Sequence, residues 1–159
     1  MTKKVPMTVE GARRLKAELH RLKTVDRPAV IAAIAEARSH GDLAENADYD
    51  AAKERQGFIE GRIGEVERRL AHAQVINPAE IDADGRVVFG ATVELTDAAS
   101  GAPVTYQIVG DDEADLKHGK ISVSSPIARA LIGKVEGDTV EVHAPGGVRE
   151  YEIHVVRYG

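Results

Sequence analysis

The sequence predicts an α+β protein in which a helical hairpin precedes a small, mostly antiparallel β domain with one short helix. No proline occurs between Pro28 and Pro78, and this stretch is rich in Ala, Glu, Arg and Lys, which favour helix. After Pro78 the apolar residues change to a period of two, which is typical of strands. We therefore expect two domains, residues 1–76 and residues 77–159.

The first helical region carries apolar residues at the spacing of one helix face. Leu15, Leu19 and Leu22 lie at i, i+4 and i+7. The same spacing recurs at Val30, Ile34 and Ala37. Pro28 lies between the two sets and fits the first turn of a restarted helix, with Asp26 as the expected cap.

A second helix is expected over residues 51–76, and its apolar residues form one narrow seam. The seam consists of Ala52, Ile59, Ile63, Val66, Leu70 and Ala73. Such a seam is typical of a coiled-coil contact. Because only about ten residues separate the two helical regions, we expect an antiparallel hairpin. At 1.5 Å per residue the second helix would extend about 39 Å.

The second domain is expected to contain four strands and one short helix. Alternating or continuous apolar patterns predict strands at residues 86–96, 104–109, 139–143 and 151–158. Turn residues separate these segments at Asp84-Gly85, Ser100-Gly101 and Pro145-Gly146-Gly147. Residues 126–132 predict a short helix that is opened by Ser124 or Ser125.

Composition excludes several kinds of site. The chain contains no Cys, which removes disulfides, thiol nucleophiles and cysteine-bound metals.

No apolar run approaches the roughly 18–20 residues of a membrane span, and the N-terminus lacks the apolar core of a secretory signal. We expect a cytoplasmic protein without a membrane partner.

The net charge of −5 is unevenly distributed along the chain. Residues 1–76 carry 14 Lys and Arg against 12 Asp and Glu, whereas residues 77–159 carry 7 against 14. Within the first part, residues 40–50, here named the acidic segment, hold four acids and no Lys or Arg. An acidic chain argues against unaided binding to a phosphate backbone.

The acidic segment is the strongest candidate for chemistry. Asp42 and Glu45 are three residues apart, with Asp48 and Asp50 behind them. Clustered carboxylates suit a hard cation such as Mg²⁺, but two carboxylates cannot complete an octahedral shell. If a metal binds here, another molecule must supply the remaining ligands. On composition alone, a solvated turn is the simpler explanation of these acids.

Two further charged groups are candidate binding surfaces. Arg38, Lys53 and Arg55 flank the acidic segment and could contact a nucleic-acid phosphate, although ordinary surface charge explains them more simply. Residues 110–115 form a second acidic run, which we interpret as a surface for a basic partner.

Three motifs resemble the bacterial transcript cleavage factors of the GreA/GreB family, and of its GreA type in particular. Together they cover most of the chain in order, which makes the likeness specific. The motifs are residues 41–49 (GDLAENADY) continued by 51–58 (AAKERQGF), residues 89–93 (FGATV) followed by 106–115 (YQIVGDDEAD), and residues 121–134 (ISVSSPIARALIGK).

The resemblance implies an accessory factor for RNA polymerase. Factors of this family enter the secondary channel of backtracked polymerase, whose own active site then cleaves the RNA 3′ end. By this likeness Asp42 and Glu45 would help to hold the second Mg²⁺, which the isolated protein does not bind stably. The globular domain is expected to resemble the FK506-binding-protein fold, and we expect a monomer.

The resemblance also implies roles for other positions. Arg38, Lys53 and Arg55 become candidates for contact with the extruded RNA or the channel wall. Asn46 and Tyr49 become candidates for shaping the tip of the hairpin. For contact with the channel rim the candidates are Ser122, Ser124, Ser125 and Pro126.

Two other functions stay open from the sequence. An inhibitor with the same fold would occupy the channel without promoting cleavage, and the extra acids Asp48 and Asp50 raise this alternative. The fold likeness also suggests a prolyl isomerase or chaperone. The second domain offers few aromatic residues and no Trp for an apolar proline pocket, which argues against that function.

Overall fold

The computed structural model describes residues 4–39 and 46–159, which divide into two compact units. The first unit comprises Ala12–Ala73, and the second comprises residues 4–11 together with Gln74–Gly159. The sequence pattern assigns residues 4–11 to the N-terminal domain, whereas in the structure they lie with the C-terminal unit. Within the described ranges, no helix is long and apolar enough to cross a membrane.

The helical chain continues through the proline instead of restarting at it. Helix α1 (Val9–Arg21) leads into a π-helical turn (Leu22–Asp26) and then into helix α2 (Arg27–Arg38). Asp26 has helical dihedral angles and its side chain makes no capping hydrogen bond, so its predicted role as a cap was wrong. The wide turn carries the backbone past Pro28, which cannot donate a backbone hydrogen bond, so no free helix end is left to cap.

Helix α3 (Ala47–His72) has 26 residues and therefore extends about 39 Å, as predicted, but it begins and ends four residues earlier. Asn46 caps its first turn. Strand β2 (Ala73–Ile76) follows directly and pairs with strand β1 (Val5–Thr8). The prediction that the helix reaches residue 76 was wrong because these residues extend to pair with β1.

The two helices of the hairpin pack through a narrow apolar seam. Leu22, Val30, Ile59 and Ile63 form its buried cluster, with Leu19 packed against it. Four predicted seam residues of α3 are buried, namely Ala52, Ile59, Ile63 and Val66. Full burial of such a side chain contributes roughly 1.5–3 kcal/mol, so the seam is the main source of the hairpin's stability.

Ion pairs between helices border this seam. Arg62 contacts Glu18 through two hydrogen bonds of 2.5 and 2.7 Å. Arg27 and Glu60 form a bidentate ion pair of the same kind, with both distances at 2.8 Å. Bidentate guanidinium–carboxylate pairs fix the relative position of the two side chains as well as attracting them. They therefore help to hold α3 in one register against the preceding helices.

The second unit is built on a five-stranded sheet whose spatial order is β5-β4-β3-β7-β6. Its strands are β3 (Ala91–Asp97), β4 (Pro103–Val109), β5 (Lys120–Ser122), β6 (Thr139–Ala144) and β7 (Gly147–Tyr158). The pairs are antiparallel except β4 and β5, which are parallel. Helix α4 (Pro126–Leu131) packs on the sheet and completes its core. The predicted α+β class is therefore confirmed.

Three details of this unit differ from the prediction. Strand β7 begins at Gly147, which was expected in the turn, and not at residue 151, because the residues from Gly147 onward pair with β6. The first predicted strand begins at Ala91 and not at residue 86, because Gly90 turns the backbone with φ +88°. Strand β5 was not predicted, since three residues are too few to show a period of two. Of the two serines considered as caps for α4, Ser125 is the one whose side chain accepts from Ala128 N.

Candidate functional site

The acidic segment contains Asn46, whose side chain contacts both helices of the hairpin. Asn46 is buried, and its Nδ2 donates to Ala37 O in the last turn of α2 at 2.6 Å. Its Oδ1 accepts from Tyr49 N in the first turn of α3 at 3.1 Å. One side chain thus joins the end of α2 to the start of α3. The predicted metal-directed residues Asp42 and Glu45 lie between these ends in sequence, outside the described residues.

The two extra acids of this segment belong to helix α3. Asp48 and Asp50 lie in its first turn, and both are exposed. Carboxylates are favoured there by the positive end of the helix dipole. Asp48 also lines a small pocket of about 200 Å³ together with Ala33, Glu36 and Ala37. Their location at a helix start gives both acids a structural role that needs no metal.

Within the described part of the chain, no three or more His, Asp or Glu side chains converge as a metal site would require. The acids of the first turn of α3 therefore form no metal cage of their own. Carboxylate oxygens remain the right donor type for Mg²⁺, so the candidate donor set stays the pair Asp42 and Glu45.

The three predicted cationic contacts lie near the end of α2 and the start of α3. Arg38 ends α2, and Lys53 and Arg55 lie in the second and third turns of α3. All three side chains are exposed, and Lys53 Nζ donates to Gln56 Oε1 at 3.1 Å. No hydrogen bond or ion pair joins the three to one another. They are exposed cations near the end of α2 and the start of α3, and they form no preformed anion pocket.

The predicted rim residues are held together by Asp111, an acid of the run at residues 110–115. Ser124 Oγ donates to Asp111 Oδ1 at 2.7 Å, and the Ser122 hydroxyl donates to the same oxygen. These bonds, first from Ser122 and then from Ser124, hold the pKa of the Asp111 carboxyl below its usual range. Ser125 turns away to cap α4, and Pro126 begins that helix. Residues 122–126 therefore have a defined conformation.

A second acid of the same run fixes the N-terminal strand. Glu113 Oε2 accepts from Thr8 N and from Gly110 N, both at 2.9 Å, and the Thr8 hydroxyl donates to its other oxygen. Asp115 in turn contacts His118 Nδ1 at 2.6 Å. Three acids of residues 110–115 thus have partners inside their own unit, which weakens the interpretation of this run as a surface for a basic partner.

Sequence reasoning could not find these pairings because their members are far apart in the chain. Thr8 and Glu113 are 105 residues apart. Asp111 and Ser122 meet because β4 and β5 are parallel, with Val109 opposite Ser122, so both strands end at the same edge of the sheet. Without the unpredicted strand β5, this juxtaposition has no signal in the sequence.

Two family models match the chain over almost its whole length. One is described as "Transcription elongation factor, N-terminal" and matches residues 5–75. The other is described as "Transcription elongation factor, GreA/GreB, C-term" and matches residues 82–158. The chain belongs to the GreA/GreB family of transcription elongation factors. The resemblance drawn from the motifs is therefore confirmed.

Two GreA proteins of high sequence identity agree with this assignment. The transcription elongation factor GreA of Ralstonia nicotianae is 72% identical over 154 residues, covering 97% of this chain and 98% of that protein. GreA of Neisseria meningitidis serogroup A is 69% identical over 155 residues, with 98% of each chain covered. A solved GreA/GreB factor from Nitrosomonas europaea is 26% identical with a TM-score of 0.43, covering 98% of this chain and 100% of that one.

Membership of the GreA/GreB family fixes the class of function as transcription elongation. The roles of Asp42, Glu45, the cationic trio and residues 122–126 remain predictions.

Proposed function

We propose that this GreA/GreB protein binds backtracked RNA polymerase through its secondary channel and stimulates cleavage of the nascent RNA 3′ end. The hydrolysis would be carried out by the polymerase active site, with this chain as an accessory factor. Cleavage leaves a new RNA 3′ end from which elongation resumes. The proposal combines the family assignment with the form of the helical unit.

The observation that carries the proposal is the joint formed by Asn46. Its two hydrogen bonds tie the last turn of α2 to the first turn of α3, and Asn46 follows Glu45 by one residue and Asp42 by four in sequence. A helix pair with a packed seam and inter-helix ion pairs is a stiff support. A stiff helix pair itself loses little conformational entropy when it enters another protein's site.

Asp42 and Glu45 would be the residues that contribute to the second Mg²⁺. When bound, that ion supplies charge stabilisation and an activated water for hydrolysis of the RNA phosphodiester. Two carboxylates supply hard oxygen donors but only part of a shell, so the remaining ligands must come from the polymerase and its RNA. The function of these side chains is therefore to complete a site, not to form one alone.

The other predicted residues would contribute binding. Exposed cations at Arg38, Lys53 and Arg55 could contact phosphates of the extruded RNA, or the channel wall, and would fix the position of the hairpin. Residues 122–126 would contact the channel rim. Because the chain as a whole is acidic, we propose that RNA binding occurs only within the polymerase complex.

A cleavage assay on halted, backtracked polymerase tests the proposal. Complexes carrying RNA labelled at its 3′ end are incubated with Mg²⁺, alone or with the protein, and the released fragments are measured. We expect short 3′ fragments to appear much faster with the protein, and none when the protein meets the same RNA without polymerase. Release at the unstimulated rate would contradict the proposal.

The same experiment separates the cleavage factor from a channel inhibitor. An inhibitor would slow RNA extension at saturating protein and release no fragments. The extra acids that suggested this alternative, Asp48 and Asp50, lie in the first turn of α3, where the helix dipole accounts for them. The structural argument for the inhibitor is therefore weaker than the argument for cleavage.

A further inference from the structure

Asp111 lies at the point where two parallel strands end together. It follows β4 by two residues, and Ser124 follows β5 by two residues. The register of the pair sets Val109 opposite Ser122, so the chain leaves both strands at the same edge. The Asp111 side chain then reaches across to the segment after β5.

One oxygen of Asp111 organises both serines of that segment. Oδ1 accepts from the Ser122 hydroxyl and, at 2.7 Å, from Ser124 Oγ. The two hydroxyl oxygens are 2.9 Å apart, and Ser122 Oγ also accepts from Ser124 N at 3.1 Å. The arrangement is a closed set of short contacts around a single charged acceptor.

These contacts fix side chains that would otherwise rotate freely. Ser124 is exposed and Ser122 is half-buried, so packing alone does not select their rotamers. Bonds to an ionised acceptor are stronger than bonds between neutral groups. A binding segment that is ordered before association loses less entropy when it binds.

We propose that Asp111 is a positioning residue for RNA polymerase binding, because it orders Ser122 and Ser124 in the form that the polymerase contacts. This inference rests on the proposed function, which assigns the polymerase contact to residues 122–126. Because Asp111 acts through the serines, we expect its replacement to change the affinity for RNA polymerase and not the maximal rate of cleavage.

The test is the affinity of the full-length, fluorescently labelled protein for core RNA polymerase. We expect Asp111→Ala to weaken binding about tenfold, the scale of a lost charge-assisted contact. Asp111→Asn keeps the Oδ1 acceptor for both hydroxyls, so we expect its binding to stay within about threefold of wild type. The variant Asp82→Asn, which removes a charge at another exposed position, should bind as wild type does.

A double-mutant cycle separates positioning from direct contact. Ser122→Ala should cost affinity in the wild-type background and much less in the Asp111→Ala background, because the same interaction is already lost. Additive effects of the two changes would overturn the proposal. Equal losses in Asp111→Asn and Asp111→Ala would also overturn it, because they would indicate a direct charge contact. Thermal unfolding of each variant shows whether the fold is retained.

Failure of this inference is distinguishable from failure of the proposed function. At saturating concentration, Asp111→Ala should reach the wild-type maximal rate of cleavage. If wild type binds and stimulates cleavage while folded Asp111→Ala binds equally well, only the positioning role is wrong. If wild type does not bind polymerase, both proposals are wrong.

Discussion

At the scale of single residues, the helical unit depends on Asn46, whose side-chain amide both donates and accepts a hydrogen bond. Asn46 accepts from Tyr49 N as a helix cap and donates to Ala37 O on the other helix. It is one of two buried polar or charged residues in the described ranges, and the other is Thr8. Because Asn46 is buried, loss of either bond leaves a backbone group without its partner.

We predict that Asn46→Ala destabilises the protein by about 1–2 kcal/mol, which combines loss of a cap with loss of the bond to Ala37. Asn46→Asp should be intermediate, because aspartate can accept from Tyr49 N but cannot donate to a carbonyl. Thermal unfolding provides the measurement. Asn77→Ala is the matched control, since Asn77 caps only a short exposed turn. Equal effects at the two positions would contradict the joint assigned to Asn46.

The importance of individual residues was predictable from sequence only where the partner is near in the chain. Ser125 was one of two serines expected to cap α4, and the structure selects it because Ser122 and Ser124 are bound to Asp111. The contact between Glu113 and Thr8 depends on how strand β1 lies in the folded unit. A run of acids gives no sign that one of them faces inward.

At the scale of elements, helix α3 contains glycines that its own packing does not explain. A Cβ atom added at Gly57 or Gly61 would meet nothing within 4 Å. Glycine in a helix interior costs roughly 0.5–1 kcal/mol relative to alanine. The helix is therefore less stable than it would be with alanine at these two positions.

We predict that Gly57→Ala and Gly61→Ala each raise the free energy of unfolding by about 0.5–1 kcal/mol. Chemical denaturation measures the change. The contrasting variant is Gly11→Ala, whose new Cβ would overlap the Glu113 carboxylate and should be destabilising. A loss of stability in both α3 variants would show that these positions have contacts beyond those of the described fold.

The ion pair between Glu18 and Arg62 makes hairpin stability dependent on pH. The hydrogen bonds that Arg62 donates to Glu18 hold the pKa of the Glu18 carboxyl below its usual range. A carboxyl whose pKa is lowered on folding stabilises the protein above its unfolded pKa, about 4.3, and loses that contribution as pH falls through the folded value. The contribution is therefore present at neutral pH and disappears in acid.

We predict that wild type loses more stability between about pH 5 and pH 3 than Glu18→Gln does, because the variant has no carboxyl to protonate. Thermal melts across this range give the comparison. Glu54→Gln is the control, since Glu54 is an exposed carboxylate of α3, the helix that carries Arg62. Parallel pH profiles for wild type and Glu18→Gln would contradict the role of the pair. Partial exposure of both side chains limits the size of the effect.

Helices and strands were predictable where the apolar residues repeat with a regular period over enough residues. Helix α3 spans about seven turns, and its length was predicted even though both ends shifted. The shifts come from tertiary pairing, because Ala73–Ile76 pairs with β1 instead of extending the helix. Strand β5 is too short to carry a period, and its parallel pairing with β4 depends on contacts made only after folding.

At the scale of the whole molecule, the uneven charge becomes easier to interpret. The acidic segment lies in an N-terminal part that is otherwise basic, and the C-terminal part is acidic. Several acids of the C-terminal part are used internally, as Asp111, Glu113 and Asp115 show. Net charge alone therefore does not identify the binding surface. The motifs identified the family, whereas the network around Asp111 required the folded chain.

The central claim is that Asp42 and Glu45 act at the polymerase active site and not in binding. The most direct measurement is the maximal rate of 3′ fragment release by backtracked polymerase at saturating Asp42→Ala/Glu45→Ala double variant, with bound protein quantified in the same samples. We predict binding close to that of wild type and a cleavage rate no higher than that of polymerase alone. Wild-type cleavage by the bound double variant would contradict the account.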